Sequence, residues 1–173
     1  MSICIASFGD DVSTLLSELS RCVNYGLPED WSVDILISDQ FPAVHPKSIE
    51  WQEHGACIYF HSTTKGRSLN RNELAQRSTG NYLLFLDADA LPKATSFLYD
   101  YCNAAATSSV VVGGTAYLRD FKVNHLRSKI GIQKEELSPK ARSKNTYDSF
   151  SAFNFLITRS LFLEMGFDET IQG

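Results

Sequence analysis

The sequence predicts one α/β domain built on a mostly parallel sheet with helices on both faces. Short apolar runs alternate with segments of helical period through the first hundred residues, and each run ends in a polar exit. A length of 173 residues suits one ordinary domain, able to bury roughly 70% of the surface its unfolded chain exposes.

Ile3 to Phe8 is an apolar run closed by Gly9-Asp10-Asp11, as expected of a buried strand entering a loop. Leu15, Leu16, Leu19, Cys22 and Val23 then recur at helical spacing, with Ser13 the expected N-cap and Gly26-Leu27-Pro28 the stop. Val33 to Ser38 is a second strand closing on Asp39. Phe41 to His54, with Pro42 and Pro46, is irregular, and Ala56 to Phe60 is a third strand. Ser68 to Thr79 permits a polar helix ending at Gly80, and Tyr82 to Leu86 is the most apolar strand of all. Pro92 suits the first turn of a helix reaching about Ala106, and Ser109 to Val112 begins a strand that Gly113-Gly114 interrupts. Residues 121–147 are charged and ambiguous; the basic side chains Lys134, Lys140, Arg142 and Lys144 there are expected in a solvated loop, the alternative being a face toward acceptor. Phe150 to Thr158 is a late strand, followed by a short helix from Arg159 to Met165 that Gly166 stops.

With 16 Lys plus Arg against 20 Asp plus Glu, and a net charge of -4, the chain carries no basic footprint for nucleic acid. A negatively charged substrate needs local help. Cys4, Cys22, Cys57 and Cys102 are scattered without a C-x-x-C pair, and His45, His54, His61 and His125 are not spaced as ligands, so reduced thiols and packed or solvated histidines are expected. No signal-like start or run of spanning length is present. The expected location is the cytoplasm, or the inner face of a membrane as a peripheral protein.

In a sheet of this class, ligands bind beyond the carboxyl ends of the strands. Three polar exits converge there: Ser7 to Asp10, Asp39, and Asp87 to Asp89. In Leu83-Leu84-Phe85-Leu86-Asp87-Ala88-Asp89, two carboxylates stand one residue apart and would face one way in an extended chain. A hard cation such as Mg2+ takes one or two carboxylates and completes its shell with water and phosphate oxygens. The plainer alternative is that these two residues only terminate the strand and cap the next helix.

Upstream lies Lys65-Gly66-Arg67-Ser68-Leu69-Asn70-Arg71-Asn72, then Gly80. The stretch from Lys65 to Ala90 resembles the inverting family 2 glycosyltransferases of the GT-A fold, a Rossmann-like nucleotide-diphospho-sugar transferase architecture. Their pattern runs Lys-Gly-x-Ser-x-Ala-Arg-Asn, Gly, an apolar strand and Asp-x-Asp. Asn70 and Leu74 depart from it, standing where Ala and often Gly occur. The resemblance extends with less specificity to Ser7 and Phe8 beside the nucleoside, to Asp39 as reader of a uracil base (with Gln40 in place of a second Asp), to Phe153-Asn154-Phe155-Leu156-Ile157-Thr158-Arg159, and to Met165-Gly166-Phe167-Asp168-Glu169 on the acceptor side.

The resemblance implies a donor that is a nucleotide diphosphate sugar, UDP-linked, and a glycan or lipid-linked acceptor. It implies Mn2+ or Mg2+ bound directly by Asp89, with Asp87 on ribose or a metal-bound water and Arg71 beside the diphosphate. The family's base is a Glu-Asp pair a few residues after the Gly-Phe-Asp-Glu turn. The sequence stops at Gly173, only four residues after Glu169. The catalytic base is therefore expected beyond Gly173 and the chain is expected to be the N-terminal part of a longer enzyme, with Asp168 or Glu169 as less favoured substitutes for the base. Apolar surface near Phe153, Phe155 and Phe167 is then expected to lie uncovered and to promote self-association. Two rival classes stay open: a haloacid dehalogenase-like phosphatase with Asp87 as nucleophile, and a non-catalytic sugar-nucleotide-binding module.

Overall fold

The computed structural model of the chain describes residues 1–41, 56–117 and 126–171. Strands β1 (Ser2–Ser7), β2 (Asp34–Asp39), β3 (Cys57–His61) and β4 (Tyr82–Asp87) run parallel. β5 (Val110–Val112) pairs antiparallel with β6 (Asn154–Thr158), and β6 pairs antiparallel with β4. The order across the sheet is β3-β2-β1-β4-β6-β5. The mostly parallel α/β expectation holds, with β6 reversed so that its first residue lies at the rim where β4 ends.

The central strands are apolar on both sides because both faces are covered. Ile3 and Ile5 of β1, with Leu84 and Leu86 of β4, pack against α1 (Ser13–Tyr25) and α3 (Phe97–Ala105). Cys4, Leu83 and Phe85 point the other way, toward α2 (Arg67–Arg77) and α6 (Arg159–Met165). Gly80 must be glycine on packing grounds, since a Cβ there would meet the Ser2 nitrogen at 2.6 Å. That close approach seats the start of β4 against β1.

Several expectations are corrected. Ser13 is the first helical residue rather than the cap; Asp11 Oδ1 accepts its N–H at 2.9 Å, as a short carboxylate does two residues upstream. Pro92 lies ahead of α3, which begins at Phe97, because the helical apolar period of Leu98, Tyr101, Cys102 and Ala105 starts only there. β6 starts at Asn154, not Phe150. The charged stretch is no simple loop: it contains α4 (Leu126–Lys134) and α5 (Pro139–Arg142), the latter capped by the Ser138 hydroxyl, which accepts the Ala141 N–H. Phe155 is buried and Phe167 half-buried in an aromatic cluster with Phe85 and Phe162, and Phe153 is half-buried. The exposed apolar side chains of this region are Phe150, Leu163, Met165 and Ile171. His45, His54, His125 and the irregular segment before β3 lie outside the described residues, apart from Phe41. Gly173, the position beyond which the catalytic base is expected, lies outside them as well.

All four cysteines are free, three of them buried. Burial pushes the Cys4 thiol up to about 12, so it is neutral and inert at physiological pH. No described helix is long and apolar enough to cross a membrane.

Candidate donor site at the sheet rim

The chain places β2 and β3 on one side of β1 and β4 on the other, so the direction of winding reverses between β1 and β4. A crevice opens at such a reversal, outside the carboxyl ends of the strands. Register aligns the expected residues there: Ser7 stands opposite Asp39, and Ala6 opposite Asp87. Neighbouring strands lie about 4.8 Å apart, which brings Ser7, Asp39 and Asp87 onto one short arc.

Asp39 is 1% exposed. Its Oδ1 accepts the N–H groups of Gly9 and Phe41, both at 2.9 Å, and its Oδ2 accepts the Tyr59 hydroxyl at 2.6 Å. A carboxylate used in this way sets the conformation of the loop after β1. Gly9 takes a positive φ of 79° in that loop, and the Ser7 hydroxyl accepts the Asp10 N–H at 3.2 Å. Phe8 emerges 67% exposed and packs on Phe41, with ring centroids 5.5 Å apart. Gln40, standing in place of the family's second Asp, donates its side-chain amide to Thr64 O at 2.8 Å and to Gly66 O at 3.2 Å. It thereby ties the end of β2 to the turn that starts α2.

Gly66, at φ 112°, allows that turn. α2 then carries Arg71 under the rim, 7% exposed, where its Nη2 meets Asp87 Oδ1 at 2.5 Å and its guanidinium lies 5.7 Å from the centre of the Phe167 ring. Arg71 is thus a buried member of the rim, paired with the partly exposed Asp87. Asn70, at the position of the usual Ala, is 2% exposed; its amide donates to Ser38 O at 3.3 Å, and its Oδ1 has no protein partner. Asp87 ends β4, and the chain turns at once, the Ala90 N–H bonding Asp87 O at 3.0 Å. Asp87 and Asp89 are thus on a turn rather than on one face of an extended strand, with Asp89 exposed.

Among the described residues no three or more His, Cys, Asp or Glu side chains group as a metal site. Two carboxylates at one turn are nevertheless an oxygen donor set suited to a hard cation that draws its remaining ligands from water and diphosphate.

Sequence reasoning missed Tyr59, Phe41 and the contacts of Arg71 and Asn72 with the turn at Phe167. The period-2 spacing of Asp39 and Phe41 was the available signal for Phe41. Tyr59 looked like any strand aromatic.

A six-stranded sheet of this order, with its polar residues gathered at the β1/β4 reversal, is a nucleotide-diphospho-sugar transferase fold of the GT-A type. The family described as Glycosyl transferase family 2 matches residues 37–166. The chain belongs to that family. Similar solved structures include the mannosyltransferase PcManGT from Pyrobaculum calidifontis in complex with GDP-Man and Mn2+, at 14% identity and TM-score 0.58, covering 96% of this chain and 47% of that one. They also include TarS 1–349 of S. aureus, at 16% identity and TM-score 0.61, covering 99% and 51%. TarS in complex with UDP-GlcNAc is 16% identical with TM-score 0.62, covering 94% and 46%. The chain spans about half the length of these structures. No match was found among curated protein sequences.

Proposed function

We propose that this chain forms the donor-binding part of a glycosyltransferase that moves a sugar from a nucleotide diphosphate, UDP by preference, to a glycan or lipid-linked acceptor with inversion. The observation that carries this is the pairing of buried Arg71 with Asp87 at the β1/β4 crevice. A departing diphosphate bears several negative charges, and a preorganised cation in a partly dry site stabilises it as it leaves. Asp87 holds Arg71 in place until donor phosphates arrive. The exposed Phe8, its ring tilted against that of Phe41, offers an aromatic face for the base, and Asp39 holds the backbone of both loops from beneath.

Asp89 and Asp87 would hold Mn2+ or Mg2+, which when bound supplies charge neutralisation at the diphosphate. Consistent with this, PcManGT was solved with GDP-Man and Mn2+. Asp168 and Glu169 serve as supports of their turn, Asp168 bonded to Thr170 and Glu169 to Asn72. Their engagement there favours a base drawn from elsewhere.

The phosphatase alternative needs Asp87 as a free nucleophile, and its pairing with Arg71 argues against it. Incubation with a UDP-sugar and Mn2+ separates the readings. Slow release of sugar to water, with UDP as co-product, supports the transferase. Release of inorganic phosphate contradicts it, and no binding of the UDP-sugar contradicts both the transferase and the binding-module readings.

A further inference from the structure

The solvent side of α4, and of the chain from there through α5, carries a charge opposite to that of the rest of the protein. Lys129, Lys134, Lys140 and Lys144 are all exposed there, and Asp148 is the one exposed carboxylate between residues 129 and 150. Glu135 and Glu136 are half-buried, Glu135 accepts the Tyr117 hydroxyl, and Asp148 accepts the Asn145 amide. Arg142 faces inward, its Nη1 donating to the carbonyls of Val112 and Gly113, and takes no part in the surface. Elsewhere among the described residues, nine exposed carboxylates stand against five exposed Lys or Arg. The positive surplus is therefore local, on a chain of net charge -4.

Apolar side chains share this face. Ile130, Leu137 and Phe150 are exposed, and Tyr147 is 93% exposed. Helical spacing puts Ile130 and Lys134 on one stripe of α4, while the buried Gly131 packs against the Tyr117 ring on the other side. Lys134, Leu137 and Phe150 border one depression, so the end of α4 and the stretch after α5 meet in a continuous surface. Single exposed apolar residues are ordinary. Several interleaved with lysines on one face form the pattern that rests on a lipid surface: ammonium groups reach the phosphates while lysine stems and apolar side chains lie against the acyl boundary. A tyrosine suits the headgroup layer, with one end apolar and the other wet. An acidic polymer would use the lysines but has no use for Ile130 and Leu137.

We propose that the α4–α5 face is a docking surface for an anionic bilayer, with Lys129, Lys134, Lys140 and Lys144 on the lipid phosphates and Ile130, Leu137 and Tyr147 entering the headgroup layer. Arg142 ties this face to the end of β5, and register sets that end on the rim where β4 stops, since Leu86 lies opposite Asn154 and Val112 opposite Phe155. On the transferase reading above, docking brings a lipid-linked acceptor toward the Asp87 turn; the docking surface itself does not rest on that reading.

The test is flotation of the chain with vesicles of phosphatidylcholine alone and of phosphatidylcholine mixed with phosphatidylglycerol, at low and high salt. Binding to the mixed vesicles should be tenfold or more tighter than to the neutral ones, and should fall at high salt, where exposed charges are screened. Lys129→Gln with Lys134→Gln, and separately Leu137→Gln with Tyr147→Ser, should each weaken it fivefold or more with the melting curve unchanged, all four positions being exposed. Arg21→Gln with Lys93→Gln removes two exposed cations from other surfaces and should leave it within twofold. Equal binding to both vesicles, indifference to the lysine pair, or an equal loss from Arg21→Gln with Lys93→Gln overturns the proposal. Loss with the lysine pair that Leu137→Gln with Tyr147→Ser does not reproduce also overturns it, and assigns the face to a soluble acidic polymer. Vesicle binding is read without nucleotide, so failure of the chain to bind UDP counts against the donor-site reading alone.

Discussion

The side chain of Asn72 pairs with the backbone of Phe167 as a neighbouring strand would: its Oδ1 accepts the Phe167 N–H at 2.9 Å and its amide donates to the Phe167 carbonyl at 3.0 Å. The same amide reaches Glu169 Oε1 at 2.9 Å. Two motifs 95 residues apart in sequence are thereby joined, and Arg71, next to Asn72, adds its contact with the Phe167 ring. Asn72→Ala removes all three bonds and should cost about 1–3 kcal/mol. A lower urea midpoint at unchanged slope, with faster exchange of the Phe167 amide proton, is the expected result. An unchanged midpoint would show that the turn holds without Asn72.

Arg71 serves both the rim and the turn, so its substitutions should separate charge from geometry. Arg71→Ala is expected to lower UDP affinity more than tenfold. Arg71→Lys keeps a cation but loses the planar fork that meets Asp87, and should fall between wild type and Ala. Equal UDP affinity in all three proteins would remove Arg71 from the site.

Asp39 and Tyr59 should behave differently when altered. Asp39→Ala strands two backbone N–H groups and should cost about 2–4 kcal/mol while disordering the Phe8 and Phe41 platform. Tyr59→Phe loses the hydrogen bond to Asp39, about 1 kcal/mol, and should leave UDP affinity within twofold. Burial, and secondarily the bond to Asp39, pushes the Tyr59 hydroxyl above its ordinary value of 10. Its contribution is therefore complete below pH 10 and is lost as pH rises toward the folded value, where the unfolded phenol ionises first. Denaturation midpoints measured from about pH 9 to 11 should decline more steeply for wild type than for Tyr59→Phe.

The Thr170 hydroxyl and, after it, the Thr170 N–H hold the Asp168 carboxyl below its ordinary 3.8. Such a group contributes stability above its unfolded value and loses it as pH falls through the folded one. NMR titration of the Asp168 carboxyl should give a midpoint under 3.8, the mark of a poor proton acceptor. A midpoint raised toward neutrality would instead recommend it as the base.

The sheet and its two-sided core were legible because Ile3, Ile5, Leu84 and Phe85 sit in runs too apolar for any other use. The rim was legible in outline, since strand ends at Ser7, Asp39 and Asp87 must share an edge if the strands are parallel. Partnerships were not. Nothing local to Tyr59 announces that its hydroxyl meets Asp39, and the reach from Asn72 to Phe167 depends on how α2 and α6 pack. The helices α4 and α5 were hidden by their charge, as neither has an apolar face long enough to give a clear period.

The claim on which the account turns is that the turn at Asp87 and Asp89 receives a nucleotide diphosphate with a divalent cation. Calorimetry of UDP binding, with Mn2+ and again with chelator, in the wild-type chain and in Asp89→Ala, tests it most directly. The account predicts that Mn2+ strengthens UDP binding at least tenfold in wild type and that Asp89→Ala abolishes this gain while the protein remains folded. Metal-assisted UDP affinity left unchanged by Asp89→Ala would contradict it.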